Sequence, residues 1–299
     1  LPNQASQALI ERLRAEVDRF VATRPEMQAR ARTISLLKAA DDREITPEMV
    51  MTSGVYMDHV PLMEAALAEG ADLNAVALGN TFNPAQLSAR QGSQNAFGFL
   101  GERGALLKGS DFEALQPQTV EYAPAVIAAF HGRAGILEMM ATRFGVNLSL
   151  EHSADDTRDQ APLVFMAALS VDAPPARKIE TLDTLDRLGL SFKEKDGCGT
   201  PLLTHMFHEW GILPNPQDLE VLKHLVVKKP ELVQEKDLLG RTVIDVVRRE
   251  GSENGRQFLG AIMEAMAQVG ARHIGLVAKP GDDWLGAVKD NTGPEREGR

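Results

Sequence analysis

The feature that most constrains this chain is internal repetition. From residue 46 onward the same order of residue types returns every 35 to 42 positions, with units opening at 46, 81, 123, 161, 200 and 242. A period of this size means one supersecondary unit stacked on copies of itself, so repeats have to be sought before individual elements are assigned. Thr46-Pro47, Ala123-Pro124-Ala125, Ala161-Pro162-Leu163 and Thr200-Pro201-Leu202 each open a helix. A Thr supplies an N-cap oxygen, and proline fits the first helical turn, whose N–H has no intrahelical partner. Small residues follow, such as Ala128-Ala129, then a glycine such as Gly132, then aliphatic runs such as Ile136-Leu137 and Met139-Met140. The unit thus reads as helix, turn, helix, loop. Each pair has an apolar face that it cannot bury alone, so stacked neighbours have to bury it.

The pattern resembles the ankyrin-repeat family. The residues that carry the resemblance are Gly70-Ala71-Asp72 after a second helix, Thr200-Pro201-Leu202 before a first helix, and the openers Asp237 to Thr242. The resemblance covers about residues 46–270 and implies an all-α helical-repeat solenoid. The units average about 39 residues against about 33 in the family, so loops carry insertions. Ser170–Ala176 and Trp210–Gln217 are two, and an acidic connector runs over residues 148–160. The unit opening at Thr81 has Asn83-Pro84 where Pro-Leu would stand.

Flanking segments differ. Leu9, Ile10, Leu13, Val17, Phe20 and Val21 keep helical spacing, and a second helical stretch follows Pro25. Residues 1–45 therefore read as a helical pair that caps the array. Residues 271–299 have turn signals but no sustained period and read as an extended or disordered tail. Within it, Trp284-Leu285 is expected to pack back on the last unit. The chain begins at Leu1, which suggests a processed product or a fragment.

Charge and composition narrow the partners. Lys and Arg number 32 against 42 Asp and Glu, a formal charge of −10. A nucleic-acid binder needs a basic footprint to release counterions, so this balance argues against one. Aromatic residues are 5%, too few for a base-stacking platform. No apolar run of 18 residues occurs, which argues against membrane insertion. A single cysteine, Cys198, excludes an internal disulfide framework and any multi-cysteine metal site.

Little chemistry is patterned. His205 and His208 stand i, i+3 with Cys198 nearby, but no further spaced ligand accompanies them, so a metal site is not expected. Asp155, Asp156 and Asp159 lack the alternating ligand spacing of a calcium loop and read as a solvated loop. Cys198 lies in Gly197-Cys198-Gly199, a turn before a helix, and reads as a turn residue. No Gly-x-Ser-x-Gly and no His-Glu-x-x-His occurs. The expectation is a monomeric, non-enzymatic, cofactor-free module.

The ankyrin resemblance implies a protein-interaction role, with contacts at loop tips and on the exposed surface of the first helices. The positions that match are Asn80, Arg90, His131, Cys198, His205, Leu239, Arg241 and Arg248. The negative field favours a basic protein or peptide. The alternative is a substrate-recruiting repeat region of a larger enzyme, such as a secreted bacterial effector. A cytoplasmic location is expected, or a host cell for the effector alternative.

Overall fold

A computed structural model describes residues 46–76, 82–107, 123–150, 161–170, 172–210 and 218–270, together with residue 15. The expected cap at 1–45, the tail at 271–299, Asn80 and the aspartates at 155–159 lie outside these residues, apart from residue 15.

Among the described residues are six helix pairs. The first helices are α1 (Pro47–Met57), α3 (Pro84–Gln91), α5 (Pro124–Phe130), α7 (Leu163–Leu169), α9 (Leu202–Trp210) and α11 (Val243–Glu250). Their partners are α2 (Val60–Ala68), α4 (Gln94–Glu102), α6 (Ala134–Thr142), α8 (Pro175–Arg187), α10 (Asp218–Lys228) and α12 (Glu253–Gln268). Isolated β-bridges pair Lys195 with Pro201 and Lys236 with Thr242.

The helix starts follow from local chemistry. Thr46 Oγ1 accepts the Met49 N–H, and Pro47 occupies the first turn. At the second unit Asn83 takes the place of the Thr. Its side chain accepts the Gln86 N–H at 2.8 Å, and Gln86 Oε1 accepts the Asn83 N–H at 3.0 Å. This capping box satisfies two otherwise orphaned donors and starts α3 at Pro84. Thr242 and Asp245 form the same box ahead of α11.

Packing runs in two layers. Each first helix lies against the first helices of adjoining units, from α1 on α3 through to α9 on α11. The second helices stack likewise, from α2 on α4 through to α10 on α12. Ala125, Ala128, Ala129, Ala167 and Ala168 are buried between first helices, where a larger side chain would force the layer apart. Ile136, Leu137, Met140, Leu182, Leu185, Val221 and Leu222 fill the space between the layers. The buried residues form one continuous apolar cluster from Val50 to Met266. Burying a side chain of Leu or Phe size contributes roughly 1.5–3 kcal/mol, so the inter-unit interfaces hold the array together.

Candidate protein-binding surface

Two turns that precede first helices have one architecture. In the turn at 196–200, Asp196 Oδ1 accepts the N–H groups of Cys198 (2.9 Å) and Thr200 (2.7 Å). The Asp196 N–H donates to the Thr200 carbonyl, and the Gly199 N–H to the Asp196 carbonyl. Forty-one positions on, Asp237 Oδ1 accepts from Leu239 (2.9 Å) and Arg241 (2.8 Å), and the backbone bonds repeat with Gly240 and Arg241. Gly199 and Gly240 both have φ of 74°, a left-handed conformation that glycine adopts without a Cβ penalty. An Asp side chain that folds its own following backbone is a local turn device and requires no distant contact.

The second carboxylate oxygen distinguishes the two turns. Asp196 Oδ2 is hydrogen-bonded to Nδ1 of His205 at 2.6 Å, which ties the turn to α9. His205 also lies edge-on to the Phe165 ring of the preceding first helix. Asp237 Oδ2 instead receives Arg241 Nε at 2.8 Å and Nη2 at 2.7 Å. Burial pushes the Asp237 carboxyl up, but the bonds from Arg241 and Leu239 outweigh it and hold the group below its usual range. His205 and Arg241 thus do one job: each holds the turn that displays its neighbours. Those neighbours are exposed. Leu238 and Leu239 are 76% and 73% accessible, and Cys198 is exposed at the tip of the adjacent turn.

The other candidate residues lie elsewhere. Arg90, in the last turn of α3, and His131, the C-cap of α5, are brought together at the opposite end of the first helices. Burial pushes the His131 imidazole down, Arg90 and Arg133 push it the same way, and Asp172 opposes them. Arg248, in the last turn of α11, lines an open cleft of about 350 Å³ with Val233, Lys236 and Ile244. The seven described candidates therefore divide among three places, and the turn pair at 196–200 and 237–242 gathers four of them: Cys198, His205, Leu239 and Arg241. Among the described residues no group of three or more His, Cys, Asp or Glu could hold a metal ion. No described helix is long and apolar enough to cross a membrane.

Sequence reading missed a set of ion pairs along the second-helix layer. Arg103 meets Glu64, Arg143 meets Glu102, and Arg187 reaches Glu138 at 3.1 Å. Lys228 meets Asp183 at 2.7 Å and Asp186 at 3.2 Å, and Lys229 meets Asp186 at 2.7 Å. Across the last interface the polarity reverses, and Lys223 reaches Glu264 at 2.6 Å. These bonds act on the groups themselves. Lys229 holds the Asp186 carboxyl down, and Asp183 raises the Lys228 ammonium. The partners stand 39 to 49 positions apart, so their only sequence signal is an acid in one second helix and a base about one period later. Six carboxylates, Glu64, Glu102, Glu138, Asp183, Asp186 and Glu264, are thereby paired with bases along the second-helix layer.

No protein-family model matches the sequence. No curated protein matches it either. Solved structures match the fold. One is the ankyrin repeat protein EF0377, with a TM-score of 0.51 at 18% identity over 74% of this chain and 98% of that one. Another is the human ASB11 ankyrin repeat domain, with a TM-score of 0.50 at 18% identity over 79% of this chain and 96% of that one. Helix pairs in two layers, Asp-braced turns ahead of the first helices and this likeness converge: the chain has the ankyrin-repeat fold that its sequence resembles.

Proposed function

We propose that this chain is a protein-interaction module that holds a partner protein or peptide on the turn tips and first helices of its repeats. The observation that carries the reading is the pair Leu238 and Leu239, largely exposed on a turn that Asp237 and Arg241 hold in one conformation. Two exposed leucines on a mobile loop would lose their contact energy to ordering. On a fixed turn that cost is already met, and an apolar side chain of the partner gains the burial. Cys198 borders the same surface, and His205 and Arg241 serve it by fixing the turns. The net charge of −10 favours a partner whose flanks are basic and speeds its approach.

The lone cysteine gives a direct test. A benzophenone maleimide attached to Cys198 is irradiated in an extract of the native source, and the cross-linked protein is identified by mass spectrometry. The expected result is a discrete adduct that Leu238→Ser with Leu239→Ser abolishes while thermal unfolding stays unchanged. The same adduct in equal yield from the double variant would remove this surface from the binding site.

A further inference from the structure

A different end of the first-helix layer collects positive charge from three successive units. Arg90 is exposed, and its guanidinium lies over the Phe82 ring, 5.4 Å from the centroid. Arg133 Nε donates to the Arg90 carbonyl at 2.9 Å. The Arg133 stem covers Gly92 so closely that a Cβ there would stand 2.9 Å from Arg133 Cδ. Arg177, exposed at the start of α8, stands over the next turn, its Cβ 3.1 Å from where a Gly132 side chain would begin. His131 is half-buried among them, with Nδ1 3.4 Å from Asp172 Oδ2.

We propose that Arg90, Arg133 and Arg177 form a docking patch for an acidic segment of a partner protein, whose carboxylates bind the guanidinium groups at these turns.

Three observations carry this. The first is pairing. Along the second-helix layer Arg103, Arg143, Arg187, Lys223, Lys228 and Lys229 each meet a carboxylate of an adjoining unit. Arg90 and Arg177 have no such mate among the described residues, and Asp172 is the carboxylate that faces the patch. Arg90 and Arg177, two cations without a carboxylate mate among the described residues, stand out locally in a chain of charge −10. The second is repulsion. Arg90 and Arg133 both act against a proton on His131, so the potential there is positive and an anion would relieve it. The third is an internal precedent. One unit earlier the equivalent turn carries Asp58, whose carboxylate accepts the Ala96 N–H at 2.8 Å and the Asn95 Nδ2 at 2.9 Å. The same end of the array thus binds a carboxylate of its own at the first interface. At the next two interfaces the equivalent residues are Gly92 and Gly132, and arginines stand there instead.

Arginine suits this task, because its planar fork matches a carboxylate with two parallel hydrogen bonds. Stacking on Phe82 holds one fork in place before a partner arrives, which limits the ordering cost. The patch lies at the C-terminal ends of α3 and α5, whereas the leucine turns lead into the N-terminal ends of first helices, so the two sites can be tested separately.

The experiment measures fluorescence anisotropy of dye-labelled octaglutamate with the full chain in 50 mM NaCl. Octaserine and decathymidylate serve as parallel probes. The overall charge of the chain repels octaglutamate, so binding requires a local basic patch. The expected result is binding of octaglutamate over octaserine, weakened several-fold in 200 mM NaCl. Arg90→Gln with Arg177→Gln should weaken it by about tenfold or more, with thermal unfolding unchanged. Leu239→Ser should leave it unaltered. Should the double variant lose its fold, Arg177→Gln alone supplies the comparison, with a loss of a few-fold. Octaglutamate bound no better than octaserine, or equally well after the arginines are replaced, overturns the proposal. Decathymidylate bound more tightly, with the same arginine dependence, overturns the assignment to an acidic peptide.

Discussion

Leu238 of the last turn lies directly on Gly199 of the turn before it: a Cβ at Gly199 would stand 2.7 Å from Leu238 Cδ2 and 2.9 Å from Cδ1. Gly240 has the same φ of 74° but nothing within 4 Å of its Cβ position. The two glycines therefore separate backbone strain from stacking. Gly240→Ala should cost about 1 kcal/mol, the usual penalty for placing a Cβ at positive φ. Gly199→Ala should cost more, because Leu238 must also leave its seat. Urea unfolding of both variants gives the difference, and repeating Gly199→Ala in a Leu238→Ala background should shrink it to the Gly240 value. An equal cost at both glycines in the wild-type background would mean that the turns do not stack.

Among the described residues, the most buried ion pair crosses from α8 to α10. Lys178 Nζ meets Asp218 Oδ1 at 2.7 Å, with the two side chains 4% and 18% exposed. Removing one member of such a pair leaves the other buried and uncompensated, which typically costs about 3–5 kcal/mol. Asp218→Ala should approach that range, and Lys178→Met should cost clearly less, since it removes the buried charge along with the bond. Chemical denaturation ranks the two. Equal losses would show that Asp218 left without its partner is as poorly solvated as Lys178.

What could be read in the sequence follows from how local each signal is. The helix starts at Pro47, Pro124 and Leu202 were legible because cap and proline chemistry act within four residues. The second unit shows the limit. Its Asn83-Pro84 departs from the Thr-Pro pattern, yet Asn83 with Gln86 caps α3 by the same physics, so the departure is one of residue type and not of mechanism. His205 shows the reverse. It was legible as an exposed position of a first helix, but its bond to Asp196 depends on a carboxylate nine positions back and makes it a brace. Arg90 and His131 meet because one period separates them, and the repeat spacing alone placed them on corresponding turns. The inter-unit pairs along the second-helix layer, such as Glu138 with Arg187, are set by helix rotation, and an acid followed by a base one period later does not by itself say which two meet.

His131 makes the contact between the turn after α5 and Asp172, ahead of α8, sensitive to acid. Burial, Arg90 and Arg133 lower its folded-state pKa from 6.5, and Asp172 only partly offsets them. Below pH 6.5 the unfolded chain therefore binds a proton that the folded chain resists. The penalty begins as pH falls through 6.5 and is complete below the lower folded-state value. His131→Gln should flatten this part of the stability curve between pH 7.5 and pH 5, measured by thermal unfolding at constant ionic strength. A curve of identical slope in the variant would assign the acid sensitivity to other groups.

Asp58 tests how a unit holds the next one. It ends α1 in a left-handed conformation, φ 50°, where Gly92, Gly132 and Gly251 stand after α3, α5 and α11. Aspartate accepts some strain there, and its carboxylate caps the start of α4 through the Ala96 N–H. Asp58→Gly removes the cap but relieves the strain, so the two effects oppose and the loss should stay below about 1 kcal/mol. Asp58→Ala removes the cap and keeps the strain, so its loss should be the largest, about 2 kcal/mol. Asp58→Asn keeps an acceptor and tolerates the left-handed turn, so it should fall nearest to the wild type. Denaturant midpoints of the three variants give the order. If glycine proves as stable as the wild type, the carboxylate contributes nothing beyond the strain it introduces, and the joint between the first two units rests on apolar packing alone.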